Sequence, residues 1–208
     1  MIRISLHTTA GKALASVALV GTAAGVAGLG TYGAFGSSTS AGAAVASGQV
    51  AISLGASGSV TSFSVVASGL VAGDTIARAA TLTNSGDQAL SGVSLTTRAT
   101  TSSALDADPA NGLQLAVDSC SSAWTEAGTA PAVTYTCPVG ATLTHVLGAR
   151  PLIGTDVPLE HLASLTPGKT DYLRFTGTLP TDAGNGLQGQ SSTIAFTFSA
   201  TQRPAGNK

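Results

Sequence analysis

The histidines and carboxylates are the side chains best able to do chemistry here, and their spacing matches no catalytic site. A zinc peptidase needs about three metal ligands and a general base, and His145 and His161 do not follow its H-E-x-x-H spacing. Glu160 and His161 are adjacent, so on a strand they would point to opposite faces. The serines lie in no G-x-S-x-G motif. We therefore predict that the chain is not an enzyme and uses no cofactor.

A polar stretch over residues 100–112 contains the oxygen ligands that a calcium ion prefers. Asp106, Asp108 and Asn111 could hold such an ion weakly. The alternative is an ordinary solvated polar loop. The sequence predicts a polar loop here and no metal site.

The two cysteines, Cys120 and Cys137, lie between stretches with β-like composition. A disulfide between them would close a hairpin-like loop and stabilise it by about 3 kcal/mol in the loop-entropy model. A metal site would need further ligands at zinc-site spacing, and the sequence supplies none. We predict a Cys120–Cys137 disulfide, which fits an oxidising, exported destination.

Residues 1–34 have the order of a secretory signal. Arg3 and Lys12 precede the uncharged stretch 13–30, and small residues follow, so we predict cleavage between Ala34 and Phe35. A retained anchor is the alternative, since the stretch approaches spanning length. Its many Gly and Ala residues make it weakly apolar, which favours cleavage. No second run of spanning length exists, so we expect no stable membrane span after processing.

Composition favours an ordered extracellular β protein. Of the 208 residues only 9% are charged, 43% are hydrophobic and 4% are aromatic. Small and β-branched residues of this kind suit strands and short turns. Removal of the signal leaves seven basic and ten acidic residues, a net charge of −3. Without a Lys/Arg run the chain is not expected to bind nucleic acid.

Alternating apolar positions run through residues 48–203. Val50, Ile52 and Leu54 share one face of a strand, and residues 193–202 alternate in the same way. Turn clusters separate many such stretches, and no long amphipathic helix is present. This predicts an all-β, jelly-roll-like antiparallel β-sandwich with short helical or irregular insertions, followed by a tail at 204–208. Three of the five Phe lie in the last two strands, so we expect the C-terminal strand to be central in its sheet. A short helical turn is expected around 158–164.

Four segments resemble the TasA/camelysin family of Gram-positive secreted proteins. They are the end of the signal (30–35), the first strand (46–52), a Gly-Asp turn with the following Leu-x-Asn-x-Gly (69–74 and 82–86), and the closing strand (192–203). The order and spacing of these segments carry the resemblance. Ala72 replaces the usual Pro of the family's turn, and the central region 100–164 has no match.

The resemblance implies a jelly-roll domain, a dedicated signal peptidase and a place in the fibres of a Gram-positive biofilm matrix. In fibre-forming members the N-terminal arm adds as a strand to the next subunit. The arm of this chain, 35–47, is uncharged and free of Pro, so it can lie beside an edge strand. The alternative is an ordinary disordered N-terminus. The candidate donor strand consists of Phe35, Ser37, Ser38, Thr39, Ser40, Ala41, Ala43, Ala44 and Val45.

The expected function is therefore a secreted structural protein of the extracellular matrix or cell surface. It would self-assemble into fibres, with itself and other matrix proteins as partners. Two alternatives remain open: a monomeric extracellular binding module, and a metalloendopeptidase, because some members of the family are described as such.

Overall fold

Strands make up most of the described residues, as the alternating pattern predicts. The structure, a computed structural model, describes residues 43–44, 49–54, 62–129 and 132–203. The predicted signal, most of the arm and the tail lie outside these ranges. The strands are β1 (Ala43–Ala44), β2 (Gln49–Leu54), β3 (Ser62–Ser68), β4 (Thr75–Asn84), β5 (Leu90–Thr101), β6 (Gln114–Cys120), β7 (Thr125–Ala127), β8 (Thr134–Thr136), β9 (Leu143–Pro151), β10 (Gly154–Leu159), β11 (Thr170–Thr178) and β12 (Ser191–Gln202).

Two five-stranded sheets form the sandwich. The first has the order β1-β3-β12-β5-β10 and the second the order β2-β4-β11-β6-β9. Successive long strands alternate between the sheets: β3 lies in the first, β4 in the second, β5 in the first and β6 in the second. The short strands β7 and β8 form a separate hairpin. The predicted all-β, jelly-roll-like sandwich is thus confirmed.

Pairing is antiparallel except at one edge of each sheet. β1 runs parallel to β3, and β2 runs parallel to β4 from Gln49 opposite Ala79 to Leu54 opposite Asn84. Parallel neighbours need a crossover connection. Here β3, in the other sheet, lies between β2 and β4 in sequence. The connection from β2 to β4 is therefore a crossover and not a hairpin, and a crossover allows the parallel pairing.

The core lies between the sheets, around four phenylalanines. Phe63, Phe175, Phe196 and Phe198 have ring centroids 4.9 to 6.3 Å apart. Alternation on β3, β11 and β12 turns these rings inward, and each stabilises the fold by about 2 to 3 kcal/mol on full burial. β12 lies between β3 and β5, so the prediction of a central C-terminal strand is confirmed.

The region 143–165 contains two strands that sequence analysis did not find. β9 and β10 are edge strands with largely exposed side chains, so neither shows a clean alternation. Bulges interrupt their pairing with β6 and β5. The expected helical turn at 158–164 is wrong in its first part, because Pro158 and Leu159 belong to β10, an edge strand where proline is tolerated. A 3-10 helix does form at Ala163–Leu165.

Two further short helical segments occur among the described residues. A helix, α1 (Ala104–Ala107), lies within the predicted polar loop, and a 3-10 helix spans Asn185–Leu187. In the part of the chain that the structure describes, no helix is long and apolar enough to cross a membrane.

Candidate functional site

The predicted donor segment reaches the outer edge of the first sheet, along β3. Ala43 and Ala44, which form β1, pair in parallel with Phe63 and Ser64. Within the described ranges, residues 65–68 of β3 have only β12 as a neighbouring strand. In the described part of the chain, the main-chain groups on this side of residues 65–68 pair with no other strand.

The remaining predicted arm residues lie outside the described ranges. They are the cleavage pair Ala34 and Phe35, and the donor residues Phe35, Ser37, Ser38, Thr39, Ser40, Ala41 and Val45. The structure places only Ala43 and Ala44 of that set.

A second incomplete edge lies on β4. β2 covers β4 only from Ala79 onward, so residues 75–78 have β11 alone beside them in the described part of the chain. The tight turn 69–74 joins β3 to β4, and the Asp74 carboxylate accepts a hydrogen bond from the Val71 backbone N–H at 2.9 Å. The two incomplete edges, 65–68 and 75–78, therefore lie at the same end of the sandwich.

The predicted disulfide between Cys120 and Cys137 is present, and it fastens the β7–β8 hairpin to the second sheet. Trp124 is buried against this hairpin, and its indole N–H donates to the Tyr172 carbonyl at 2.9 Å. Cys120, Trp124 and Tyr135 belong to a small apolar cluster separate from the main core. The hairpin therefore has its own apolar support on the outer face of the sheet.

Arg174 of β11 links this hairpin to the sheet through three contacts. Its guanidinium carbon lies 4.6 Å from the Trp124 ring centroid, in cation–π geometry. Nη1 donates to the Tyr135 carbonyl at 3.0 Å, and Nη2 donates to the Asp118 carboxylate at 2.7 Å. The other Asp118 oxygen lies 2.7 Å from His145 Nδ1. The side chains join three strands and the hairpin in one polar network.

The second histidine, His161, shares no hydrogen bond or ion pair with this network among the described residues. His161 follows β10, and its Nε2 lies 3.9 Å from a Glu160 carboxylate oxygen, with both side chains exposed. The strand geometry considered for these neighbours does not apply, because both residues follow the end of β10 and His161 has a φ of 58°. Among the described residues, no three His, Cys, Asp or Glu side chains converge as metal ligands would.

The carboxylates considered for calcium are used as local hydrogen-bond acceptors. Asp106 accepts from the backbone N–H of Ser103 and from the hydroxyls of Ser102 and Ser192 at 2.6 to 2.8 Å. Burial raises the pKa of Asp106, but these hydrogen bonds lower it by more, so the pKa lies below its ordinary value of 3.8.

Asp108 is engaged in a tight turn of its own. Hydrogen bonds from the Asn111 backbone and side chain and from the Ala110 backbone lower the pKa of this carboxyl. Asp106 and Asp108 thus cap α1 and shape the following turn, and Asn111 acts as a donor there.

Sequence analysis missed Arg78, Trp124 and Arg174. The signal for Arg78 was available, because the alternation of β4 puts it on the same face as the buried Ala80 and Leu82. The capping box formed by Ser103 and Asp106 also follows the S-x-x-D spacing that announces a helix start.

Comparison of the chain with protein-family models, with curated proteins and with solved structures found no match.

Proposed function

We propose that this protein is a secreted structural protein of the extracellular or biofilm matrix of a Gram-positive bacterium. It assembles into fibres when the N-terminal arm of one molecule adds as a strand to the next. The observation that carries the proposal is the pairing of β1 with the β3 edge. This supports the proposal because arm residues and a sheet edge that accepts them are both present in one chain.

The β1–β3 contact is short enough to be exchanged. It joins two residues to two residues, whereas β3 is seven residues long. A main-chain hydrogen bond contributes a net ~1 kcal/mol, so a two-residue ladder is weak. A neighbour's arm lying along the whole of β3 would form more such bonds and displace β1.

Donation of this kind is open-ended. The arm and the β3 edge are different surfaces, so each added molecule leaves one arm and one edge free for the next. The molecule's main partner is therefore itself, and other matrix proteins with a similar arm are further partners. The signal segment, the resemblance to secreted fibre proteins and the disulfide all support an extracellular location.

A crosslinking experiment tests strand donation between molecules. Two single variants, Ala44→Cys and Ser64→Cys, are prepared separately and mixed under mild oxidation after the native disulfide has formed. Because Ala44 lies opposite Ser64 in the β1–β3 register, donation in trans yields a crosslinked heterodimer. Ser91→Cys, an exposed position on β5, replaces Ser64→Cys in the control. Equal crosslinking in both mixtures contradicts the proposal.

The arm is tested by deletion. A chain beginning at Phe35 is compared by electron microscopy with one beginning at Gly48, which retains β2 to β12. We expect filaments only from the longer chain. Identical filaments from both chains mean that the arm is not the connector.

A monomeric binding module is the second candidate, because a pocket of about 330 Å³ lies beneath the β7–β8 hairpin. Thr75, Val133, Tyr135, Arg174 and Thr176 contribute to its lining, which combines a cation with apolar and hydroxyl groups. Its volume falls within the range of small-ligand sites. Size-exclusion chromatography at high concentration separates the candidates, since a binding module stays monomeric.

A further inference from the structure

Two Asn-Gly pairs occur in the chain, Asn111-Gly112 and Asn185-Gly186, and the structure describes both of them. An asparagine that precedes glycine is especially prone to spontaneous loss of its side-chain amide, because glycine has no Cβ to hinder attack by its backbone nitrogen. From sequence alone the two pairs have the same chemistry. Their surroundings in the fold differ, and that difference decides which pair can react.

The first pair is held in place by Asp108. The Asp108 carboxylate accepts hydrogen bonds from the Asn111 backbone N–H at 2.9 Å and from Asn111 Nδ2 at 3.0 Å. The Gly112 N–H donates to the Asp108 carbonyl at 3.0 Å. Gly112 is buried, and a Cβ there would overlap that carbonyl and lie 2.7 Å from the Leu105 carbonyl oxygen. The Gly112 nitrogen therefore cannot turn toward the Asn111 amide without breaking these bonds.

The second pair is open. Asn185 and Gly186 are both exposed, in the loop that joins β11 to β12. The Asn185 side chain has one long contact, in which Gln188 Nε2 donates to its Oδ1 at 3.5 Å. In the part of the chain that the structure describes, neither Asn185 Nδ2 nor the Gly186 backbone N–H forms a hydrogen bond. A Cβ at Gly186 would meet no atom within 4 Å. Both reacting groups are thus accessible.

A single turn of 3-10 helix, Asn185–Leu187, opposes the reaction. Two main-chain bonds close it, from the Leu187 N–H to the Gly184 carbonyl at 3.1 Å and from the Gln188 N–H to the Asn185 carbonyl at 3.2 Å. Each such bond contributes a net ~1 kcal/mol, so the turn can open locally while the sandwich stays folded. The backbone rotation that brings the Gly186 nitrogen to the Asn185 amide therefore has a small cost.

We propose that Asn185 deamidates spontaneously in the folded protein, whereas the fold protects Asn111. The Gly186 nitrogen loses its proton and bonds to Asn185 Cγ, the Cγ–Nδ2 bond breaks, and Nδ2 leaves with a proton as ammonia. The product is a five-membered succinimide. Water opens this ring at Cγ to give aspartate or at the main-chain carbonyl to give isoaspartate. Either product adds one carboxylate to the surface, and the site does not depend on the proposed fibre function.

Ageing of the full-length chain tests the proposal. The folded protein is incubated at mildly alkaline pH, where the Gly186 N–H loses its proton more readily, and samples are then digested with trypsin. Cleavage after Arg98 and Arg174 places Asn111 and Asn185 on separate peptides, and mass spectrometry measures the conversion of each. We expect Asn185 to convert at least about tenfold faster than Asn111. Fragmentation spectra should show both isoaspartate and aspartate at position 185.

Three variants test the mechanism. Gly186→Ala places a methyl group beside the attacking nitrogen in open space, so it should slow conversion at least about tenfold without disturbing the fold. Gly184→Ala is the matched control, because it adds the same methyl group on the other side of Asn185, also in open space and at a φ of −69°. It should leave the rate unchanged. Asn185→Gln would have to close a six-membered ring, so its side chain should keep its amide.

Unfolding tests the protection of Asn111. In guanidinium chloride the bonds from Asp108 are lost, so the two asparagines should convert at similar rates. The proposal is overturned if Asn185 converts no faster than Asn111 in the folded chain, or if Gly184→Ala slows conversion as much as Gly186→Ala does. Aspartate without isoaspartate at position 185 would likewise contradict the succinimide route.

Discussion

At the residue scale, Asp106 shows how one carboxylate joins distant parts of the chain. It caps α1 through Ser103 and accepts from Ser192 of β12 at 2.6 Å, and the two serine hydroxyls also lie 2.6 Å apart. The acceptor is ionised, so these bonds are stronger than those between neutral groups. The short helix, whose Leu105 is buried in the main core, is thereby also fixed to the first sheet through polar groups.

Replacing Asp106 with Asn should lower the free energy of unfolding by about 2 kcal/mol near neutral pH. The amide can no longer accept all three hydrogen bonds. Because the pKa of Asp106 is lowered in the folded state, its stabilisation is complete above the ordinary value of 3.8 and is lost as pH falls through the lower folded pKa. Urea unfolding should be measured near neutral pH and again in acid. The difference in free energy of unfolding between the parent chain and the variant should be smaller in acid.

The control for this prediction is Asp87→Asn, which removes the same charge from an exposed turn. Its free energy of unfolding should stay within about 0.5 kcal/mol of the parent value. A deficit for Asp106→Asn that persists unchanged at acid pH would show that the carboxylate charge is not its source.

At the element scale, the β7–β8 hairpin depends on side chains rather than on the sandwich core. Its strands are three residues each, too short to be stable as an isolated hairpin. The disulfide, the buried Trp124 and the bonds from Arg174 hold it against the second sheet. The hairpin in turn covers the outer-face pocket, so its stability decides whether that pocket exists.

Replacing both Cys120 and Cys137 with Ala should lower stability by about 3 kcal/mol through loop entropy. Trp124 is the single tryptophan of the chain, so its fluorescence reports the local state of the hairpin. We expect a red shift of its emission below the global unfolding transition. Val139→Ala, at an exposed site just beyond the disulfide, should leave the emission unchanged. Unaltered emission in the double variant would mean that packing alone holds the hairpin.

At the scale of the whole molecule, the two side edges of the sandwich differ in the strands that form them. β9 and β10 form one pair of edges, and the short parallel strands β1 and β2 cover the opposite pair only in part. Incomplete edges favour association with a further strand. The proposed strand donation uses one of these edges.

A lysine on the β3 edge should prevent fibre growth without unfolding the domain. Val66 is 52% exposed, so Val66→Lys should change stability by no more than about 0.5 kcal/mol. A charge on an edge strand disfavours the addition of a neighbouring strand, as lysines on natural edge strands do. Val139→Lys adds the same charge away from β3 and should leave filaments intact in electron micrographs. Filaments of normal length from Val66→Lys would argue against β3 as the acceptor.

Composition and alternation were sufficient to predict the all-β class, the faces of the regular strands and the cysteine pair. β4, β6, β11 and β12 have near-regular alternation, and a period of two fixes which side chains point inward without knowledge of the partner strand. The disulfide could be inferred because a hairpin-like loop brings its two ends together locally.

The identity of neighbouring strands could not be predicted and follows from the fold. β9 and β10 escaped prediction because edge strands have no strict buried face, and the parallel placement of β1 and β2 depends on a crossover through the other sheet. The Asp106–Ser192 bond joins residues 86 positions apart. The Asp118–Arg174 ion pair likewise joins residues 56 positions apart. Local periodicity assigns a face to each residue, whereas pairing and charge compensation depend on residues distant in sequence.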